Sequence, residues 1–307
     1  MIRQENKRKT VRMFVVLMAA VIACVLSACG CTHKNGSGDT TPSSTVTPVS
    51  TGCEVHFLAL GKADAILILA DGHAMLIDAG YQHNADEVVS YLKSHGVSKL
   101  DYVILTHGDK DHVGGMADVL RTFSVGQMLI SPKKEKSDLY EAMVSAIKEK
   151  NISCVSPEVG TTYELGTGSF QTLAPGPKAL KEGSDNDASI AIRFTYGTKS
   201  FLLMGDALST TEKELVDSSL SIRADVLKTG HHGKSDATNK KFLKAVQPGY
   251  AVICCGESEE GDEPGEPSSK VLELLSDFHV KTLRTDETGT IVFTTDGTKL
   301  ECNQNAE

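Results

Sequence analysis

From residue 54 onward the chain alternates short apolar runs with longer amphipathic stretches. The short runs are rich in Val, Ile and Leu and are bounded by Gly, Asp or Asn, the pattern of buried strands. They predict strands near 54–60, 65–70, 74–78, 101–106, 126–130, 168–173, 189–196, 200–205, 224–228, 250–254, 280–283 and 290–294. The stretches with helical spacing predict helices near 84–95, 114–122, 137–150, 209–219, 239–246 and 268–277. Strands and helices in this order imply mixed sheets covered by helices, an α/β layered domain. No repeat of short fixed period appears.

Three polar clusters fall directly after predicted strands, where layered α/β proteins place their ligands. The densest follows Asp101-Tyr-Val-Ile-Leu105 and reads Thr106-His-Gly-Asp-Lys-Asp-His-Val-Gly-Gly115. Four possible metal ligands, His107, Asp109, Asp111 and His112, occupy six positions. In extended chain, residues two apart face the same way while a neighbouring His is free to face another, so one loop can serve two adjacent ions. Imidazole with carboxylate suits zinc or manganese better than calcium. The alternative is a polar turn with incidental histidines, which crowding of this kind disfavours. Ser200-Phe-Leu-Leu-Met-Gly-Asp206 ends in a carboxylate placed to bridge two ions, and Asp225-Val-Leu-Lys-Thr-Gly230 ends in His231-His232-Gly233. Adjacent histidines point to different sides, so one can bind metal while the other meets substrate. Each of these two segments is a weak signal alone; together with the first they converge.

The region before residue 54 changes the compartment. Arg3, Lys7, Arg8, Lys9 and Arg12 precede the apolar run Met13–Leu26, a secretory signal over residues 1–28. It ends in Leu26-Ser-Ala-Cys29, which resembles the bacterial lipoprotein lipobox, so Cys29 is the expected lipid anchor to the membrane. Residues 29–52 are rich in Ser, Thr, Gly and Pro and read as a flexible tether. Residues 53–307 remain as one large domain outside the cytoplasm. The whole chain carries −9; without residues 1–28, whose net charge is +4, it carries −13, which excludes a general polyanion-binding surface. Charge is still locally positive at Lys228, Lys234, Lys240, Lys241 and Lys244, which either receive a phosphate group or are solvated helix-face residues. Of the eight cysteines, Cys53 and Cys302 flank the domain and are candidates to pair.

In order and spacing these segments resemble the metallo-β-lactamase-fold hydrolases, and within them the hydrolase domain of ComEC-type competence proteins, over nearly all of residues 54–302. Gly61-Lys-Ala-Asp-Ala-Ile-Leu67 is similar to that family's Gly-rich first turn, and Leu76-Ile-Asp-Ala-Gly80 to its first motif. His107 to His112 fit its His-x-Asp-x-Asp-His form of the metal motif. Asn186-Asp-Ala-Ser189 with Ile190-Ala-Ile-Arg193, then Phe201 to Asp206, then Lys228 to Gly233, are similar to its later motifs. The resemblance implies an αββα four-layer sandwich holding two divalent ions, Zn or Mn, at one sheet edge. It implies that His107 and Asp109 bind one ion, Asp111 and His112 the other, that Asp206 bridges them and that His232 completes the second. His231 would contact the substrate or protonate the leaving group, Asp111 would share in catalysis, and Asp78 would brace the metal loop through hydrogen bonds.

Two positions depart from the family's pattern. The histidine that many members place before the bridging aspartate is missing from Gly183-Ser-Asp-Asn-Asp187, where Asp185, Asn186 or Asp187 is the candidate replacement. Glu266 stands in Gly265-Glu-Pro-Ser268 where the ComEC-type pattern has Gly-His-Pro. Together with Lys234, these residues are expected to shape the substrate side of the site. The expected reaction is phosphodiester hydrolysis by a hydroxide held between two ions, with DNA or another extracellular phosphodiester as substrate. The alternatives are hydrolysis of a lactone, a lactam or a phosphorylcholine ester, or a non-catalytic metal-binding accessory lipoprotein in DNA uptake.

Overall fold

The structure, a computed structural model, describes residues 52–259, 265 and 267–305. The signal segment, Cys29, the tether and Glu266 lie outside the described residues. In chain order the strands are β1 (Cys53–Phe57), β2 (Ile66–Ala70), β3 (His73–Ile77), β4 (Lys99–Leu105), β5 (Ser124–Ile130), β6 (Cys154–Val155), β7 (Thr162–Leu165) and β8 (Gly168–Ala174). They continue as β9 (Ala191–Tyr196), β10 (Lys199–Leu203), β11 (Val226–Lys228), β12 (Tyr250–Ile253), β13 (Lys281–Arg284), β14 (Ile291–Thr295) and β15 (Leu300–Cys302). One sheet runs β15-β14-β1-β2-β3-β4-β5-β6 and the other β13-β12-β11-β10-β9-β8-β7.

The unbroken apolar run of β2 shows why these strands make four layers. Ile66 and Ile68 point into a core shared with Phe170, Phe194 and Phe201 of the second sheet, while Leu67 points the other way, into a core with Val88, Leu92 and Val119. A strand covered on both faces has no solvent side, so alternation of apolar and polar residues disappears. The second sheet repeats the arrangement. Phe201 and Val226 face inward, whereas Leu202 and Leu227 pack outward with Phe242, Leu243 and Leu275 from the helices Lys240–Val246 and Ser269–Asp277. Helix on sheet on sheet on helix is the expected αββα sandwich.

Local boundaries differ where chemistry interrupts the apolar period. The metal loop stays extended only to Asp109 (φ −66°, ψ 149°) and then makes a helical turn, Lys110–Val113, before the helix Met116–Thr122. Asp111 and His112 therefore diverge because of helical geometry and not extended alternation. Between the two helical pieces the chain passes so close to the Tyr81–Gln82 backbone that only glycine fits at 114: a Cβ there would lie 2.3 Å from the Gln82 nitrogen. The short strands β6, β7 and β15 were not expected, since they offer too few residues for a period to register. The proposed Cys53–Cys302 disulfide is excluded. β14 separates β1 from β15, which sets the two cysteines two strand spacings apart, about 9–10 Å, beyond disulfide reach; both thiols are free. Among the described residues no helix is long and apolar enough to cross a membrane.

Candidate metal centre

The site gathers at the carboxyl ends of β3, β4, β10 and β11, where the two sheets meet. Asp78 follows β3, His107 follows β4, Asp206 follows β10 and His232 follows β11. A backbone hydrogen bond from Ile190 N to Thr106 O at 3.0 Å ties the second sheet to the first, and within the second sheet His231 N donates to Gly205 O at 3.3 Å, joining the loops after β10 and β11. Gly205 has φ +53°, and a Cβ there would lie 2.9 Å from the Thr106 Cβ, so the close approach that carries Asp206 to the histidines requires glycine.

Asp206 is buried at the centre. Its Oδ1 is 3.4 Å from His112 Nε2, and its Oδ2 is 3.4 Å from His232 Nε2 and 3.9 Å from His107 Nε2. The opposite nitrogen of each ring is already engaged. His112 Nδ1 donates to Asp78 Oδ2 at 2.8 Å and His232 Nδ1 to the Cys254 carbonyl at 2.8 Å. Thr106 Oγ1 donates to Asp78 Oδ2 at 2.7 Å, which leaves it to accept from His107 Nδ1 at 3.1 Å. With the protons on Nδ1, three Nε2 lone pairs face Asp206. His107 Nε2, His112 Nε2, His232 Nε2 and Asp206 Oδ1 are all buried without a hydrogen-bond partner. Buried polar atoms are normally satisfied, and nitrogen and carboxylate lone pairs converging in this way fit a divalent cation.

Ligand atoms of Asp111, His112, Asp206 and His232 lie within 4.8 Å of one another, which brings the expected second-ion set together. His107 and Asp109 form the other side, with Asp109 Oδ2 3.4 Å from His107 Nε2 and the Asp109 side chain 46% exposed at the mouth. Burial pulls the His232 ring pKa down, yet Asp206 and Asp111 outweigh it and raise it to about 9; His112 is likewise lifted well above its usual value by Asp206 and Asp78. Burial also opposes ionisation of Asp206, but His232 and His112 hold it well below the carboxylate range. The excess of negative charge that retains ring protons also attracts a cation, and the two compete for the same nitrogens.

The rest of the expected residues separate into those that join the site and those that do not. Asp78 is fully buried and takes hydrogen bonds from Thr106 N, Thr106 Oγ1 and His112, so it braces the metal loop as expected. His231 lies at the rim, with Nδ1 3.0 Å from Asp236. His231 and His232 both adopt left-handed backbone (φ 47° and 51°), which points their rings apart where a continued strand would not. Asp187 does not replace the missing histidine: it accepts from Thr211 N and Oγ1 and from Ser184 N at the start of the helix Ser209–Asp217. Asp185 pairs with Lys133. Asn186 is half-buried in a 3-10 turn. The buried residue facing the site from this segment is Ser189, whose Oγ accepts from Asp206 N at 3.2 Å. Lys234 is half-buried, and Lys240, Lys241 and Lys244 are exposed helix-face residues. Lys228 cannot receive a phosphate, because it is fully buried and paired with Asp64 at 2.7 Å.

Lys62 and Asp64 were not singled out from sequence, although charges inside the apolar stretch Leu58–Leu69 were the available signal. Lys62 Nζ sits 2.8 Å from Asp111 Oδ2, and Asp64 Oδ1 sits 3.7 Å from His232 Nδ1.

The family model of the metallo-beta-lactamase superfamily matches residues 59–257, which spans every element of this centre. The chain belongs to the metallo-β-lactamase superfamily. Among curated proteins it is 29% identical over 258 residues to ComE operon protein 3 of Bacillus subtilis, covering 78% of this chain and 33% of the relative. It is 27% identical over 235 residues to competence protein ComA of Neisseria gonorrhoeae, covering 76% of this chain and 31% of the relative. The superfamily chain described here thus spans about a third of the length of these relatives. Among solved structures, the metallo-beta-lactamase fold protein YhfI from Bacillus subtilis aligns with a TM-score of 0.53 at 14% identity, covering 80% of this chain and 100% of that one. That likeness establishes the shared fold.

Proposed function

We propose that this protein is an extracytoplasmic, metal-dependent phosphodiesterase, tethered to the membrane through a lipid on Cys29 and acting on nucleic acid or another extracellular phosphodiester. The observation that carries the hydrolase reading is the convergence of three unpartnered Nε2 atoms on Asp206 in a buried site. Similarity to proteins named for competence supports nucleic acid as the substrate class. The Arg- and Lys-led apolar segment ending in Leu26-Ser-Ala-Cys29 supports the location.

Asp111, His112, Asp206 and His232 would hold one Zn or Mn ion, and His107 and Asp109, with Asp206 shared, the other. Such ions supply a water of lowered pKa and polarise the scissile ester. The remaining work falls to protein groups. His231, 13% exposed at the rim and oriented by Asp236, is placed to give a proton to the leaving oxygen. Asp78 and the Cys254 carbonyl keep the His112 and His232 rings turned inward, so that little reorganisation accompanies binding. The net charge of −13 outside residues 1–28 implies that substrate is gripped locally at the site and not along an extended basic surface.

Hydrolysis of bis(p-nitrophenyl) phosphate by the purified protein with manganese or zinc, beside an Asp206→Ala control, tests this reading. Metal-dependent turnover that the control lacks is expected. Absence of turnover by protein with stoichiometric metal would overturn the phosphodiesterase reading and redirect the search to lactone and choline-ester substrates.

A further inference from the structure

The loop between His232 and the helix Lys240–Val246 carries Asp236, the residue that orients His231. Both Asp236 carboxylate oxygens lie against His231 Nδ1, at 3.0 and 3.1 Å. The Asp236 side chain is 48% exposed, so packing around it does not fix its direction. Its backbone does. The Asp236 carbonyl accepts from Ser209 N at 3.0 Å and from Ser209 Oγ, and the two residues that follow Ala237 are held by Glu212.

Glu212 is a fully buried carboxylate on the helix Ser209–Asp217, outside the metal centre. Its Oε1 accepts from Thr238 N, and its Oε2 from Asn239 N at 3.0 Å and from Asn239 Nδ2. Thr238 is buried and left-handed, φ 59°, a conformation that a β-branched residue adopts only where its surroundings impose it. Thr211, one residue before Glu212, binds the carbonyl and carboxylate of Asp187, so this helical turn is itself anchored. Burial pushes the Glu212 carboxyl up to about 7, although the Asn239 and Thr238 donors oppose it. A buried carboxylate is costly unless donors match it. Capping the next helix does not require one, since Asn239 Oδ1 already accepts from Lys241 N and Phe242 N.

We propose that Glu212, assisted by Ser209, is a positioning residue for proton transfer, holding the 236–239 turn so that Asp236 keeps His231 aimed at the leaving oxygen. In that step hydroxide oxygen bonds to phosphorus, the bond to the leaving oxygen breaks with its electron pair staying on that oxygen, and His231 Nε2 gives it a proton. This rests on the phosphodiesterase reading and on the role of His231 within it.

Turnover of methyl phenyl phosphate and methyl p-nitrophenyl phosphate by the manganese-loaded protein, near pH 8.5 where Glu212 is ionised, tests it. Glu212→Gln keeps the side-chain shape but sets an amide NH2 against donors. It is expected to lower kcat about tenfold for the phenyl ester, whose leaving group needs a proton, and about threefold or less for the nitrophenyl ester, with zinc content unchanged. In a His231→Gln background the same substitution is expected to change neither rate. Long-range proton–nitrogen NMR of the zinc-loaded protein is expected to show a hydrogen-bonded His231 Nδ1–H in the unaltered chain and its loss in Glu212→Gln. A merely structural role would lower the melting temperature while leaving the ratio of the two kcat values and the His231 signal unchanged, which would overturn the proposal. Loss of zinc, or an equal effect of Glu212→Gln with and without His231, would overturn it too. Should circular dichroism show that Glu212→Gln does not fold, Ser209→Ala, which removes only the Oγ anchor of Asp236, decides by the same ratio and signal. No turnover by any form would overturn the phosphodiesterase reading, while the NMR comparison still decides whether Glu212 positions His231.

Discussion

Replacing Asp78 with Asn tests how the protein prepares its histidines. Asp78 Oδ1 accepts from Thr106 N at 2.8 Å, while Oδ2 accepts from Thr106 Oγ1 at 2.7 Å and from His112 Nδ1 at 2.8 Å. Its backbone is left-handed, φ 59°, which Asn tolerates as readily as Asp, so the substitution leaves the chain path intact. In the variant the amide oxygen must stay on Thr106 N, because the flipped amide would set two donors against each other. The amide nitrogen then occupies the Oδ2 place and donates to His112 Nδ1. The ring proton moves to Nε2, 3.4 Å from Asp206 Oδ1, and the lone pair that a cation needs is lost. Removing one such oriented partner costs about 10–100-fold in metal affinity, or about 1.4–2.8 kcal/mol. Loss of the charged acceptor for two buried donors adds about 2–4 kcal/mol of destabilisation. Zinc affinity by calorimetry and the His112 tautomer by long-range proton–nitrogen NMR check both parts. An Asp78→Asn protein that binds zinc as the unaltered chain does, with His112 still protonated on Nδ1, would refute the reasoning.

Four further outcomes are expected. Asp206→Ala should abolish both zinc retention and hydrolysis, measured by elemental analysis and by turnover of bis(p-nitrophenyl) phosphate, since it removes the carboxylate that every imidazole of the centre faces. His231→Gln should leave metal content unchanged and lower kcat by about 10²–10⁴, the usual worth of a positioned general acid. Manganese affinity should fall by about tenfold or more per pH unit below 9, because the His232 ring, its pKa raised to about 9, and the His112 ring, raised likewise, must each release a proton before they can bind; affinity that is flat from pH 9 to 7 would contradict this. Thr167, Tyr196 and Gly52 hydrogen bonds hold the Asp71 pKa at about 2, below its unfolded value near 3.8, so its contribution to stability is complete above about pH 4 and lost as pH falls through 2. Asp71→Asn should therefore melt lower than the unaltered chain at pH 6, and the difference should close in acid.

Asp71 also illustrates why some structural roles were invisible in sequence. It reads as an ordinary Asp-Gly turn between β2 and β3, yet it accepts from Thr167 and from Tyr196 of the opposite sheet. Asp187 misled in the other sense: its place in the motif order made it a candidate ligand, while the fold spends it on the first turn of a helix. Lys228 looked like part of a basic cluster until burial and Asp64 claimed it. In each case the deciding partner lies more than ten residues away and leaves no mark on local spacing.

The density of ligands after β4, the carboxylate ending β10 and the histidine pair ending β11 were legible because strand ends punctuate an apolar pattern with polar residues that a core would reject. Continuous apolar strands likewise implied sheets covered on both faces. What tertiary structure alone decided was which nitrogen of each histidine faces inward, which aspartates face the centre, and that Lys62 reaches Asp111 across 49 residues. These depend on orientation and distance between segments brought together by folding, and electrostatic interactions in a buried site change steeply over the few ångströms that sequence order does not specify.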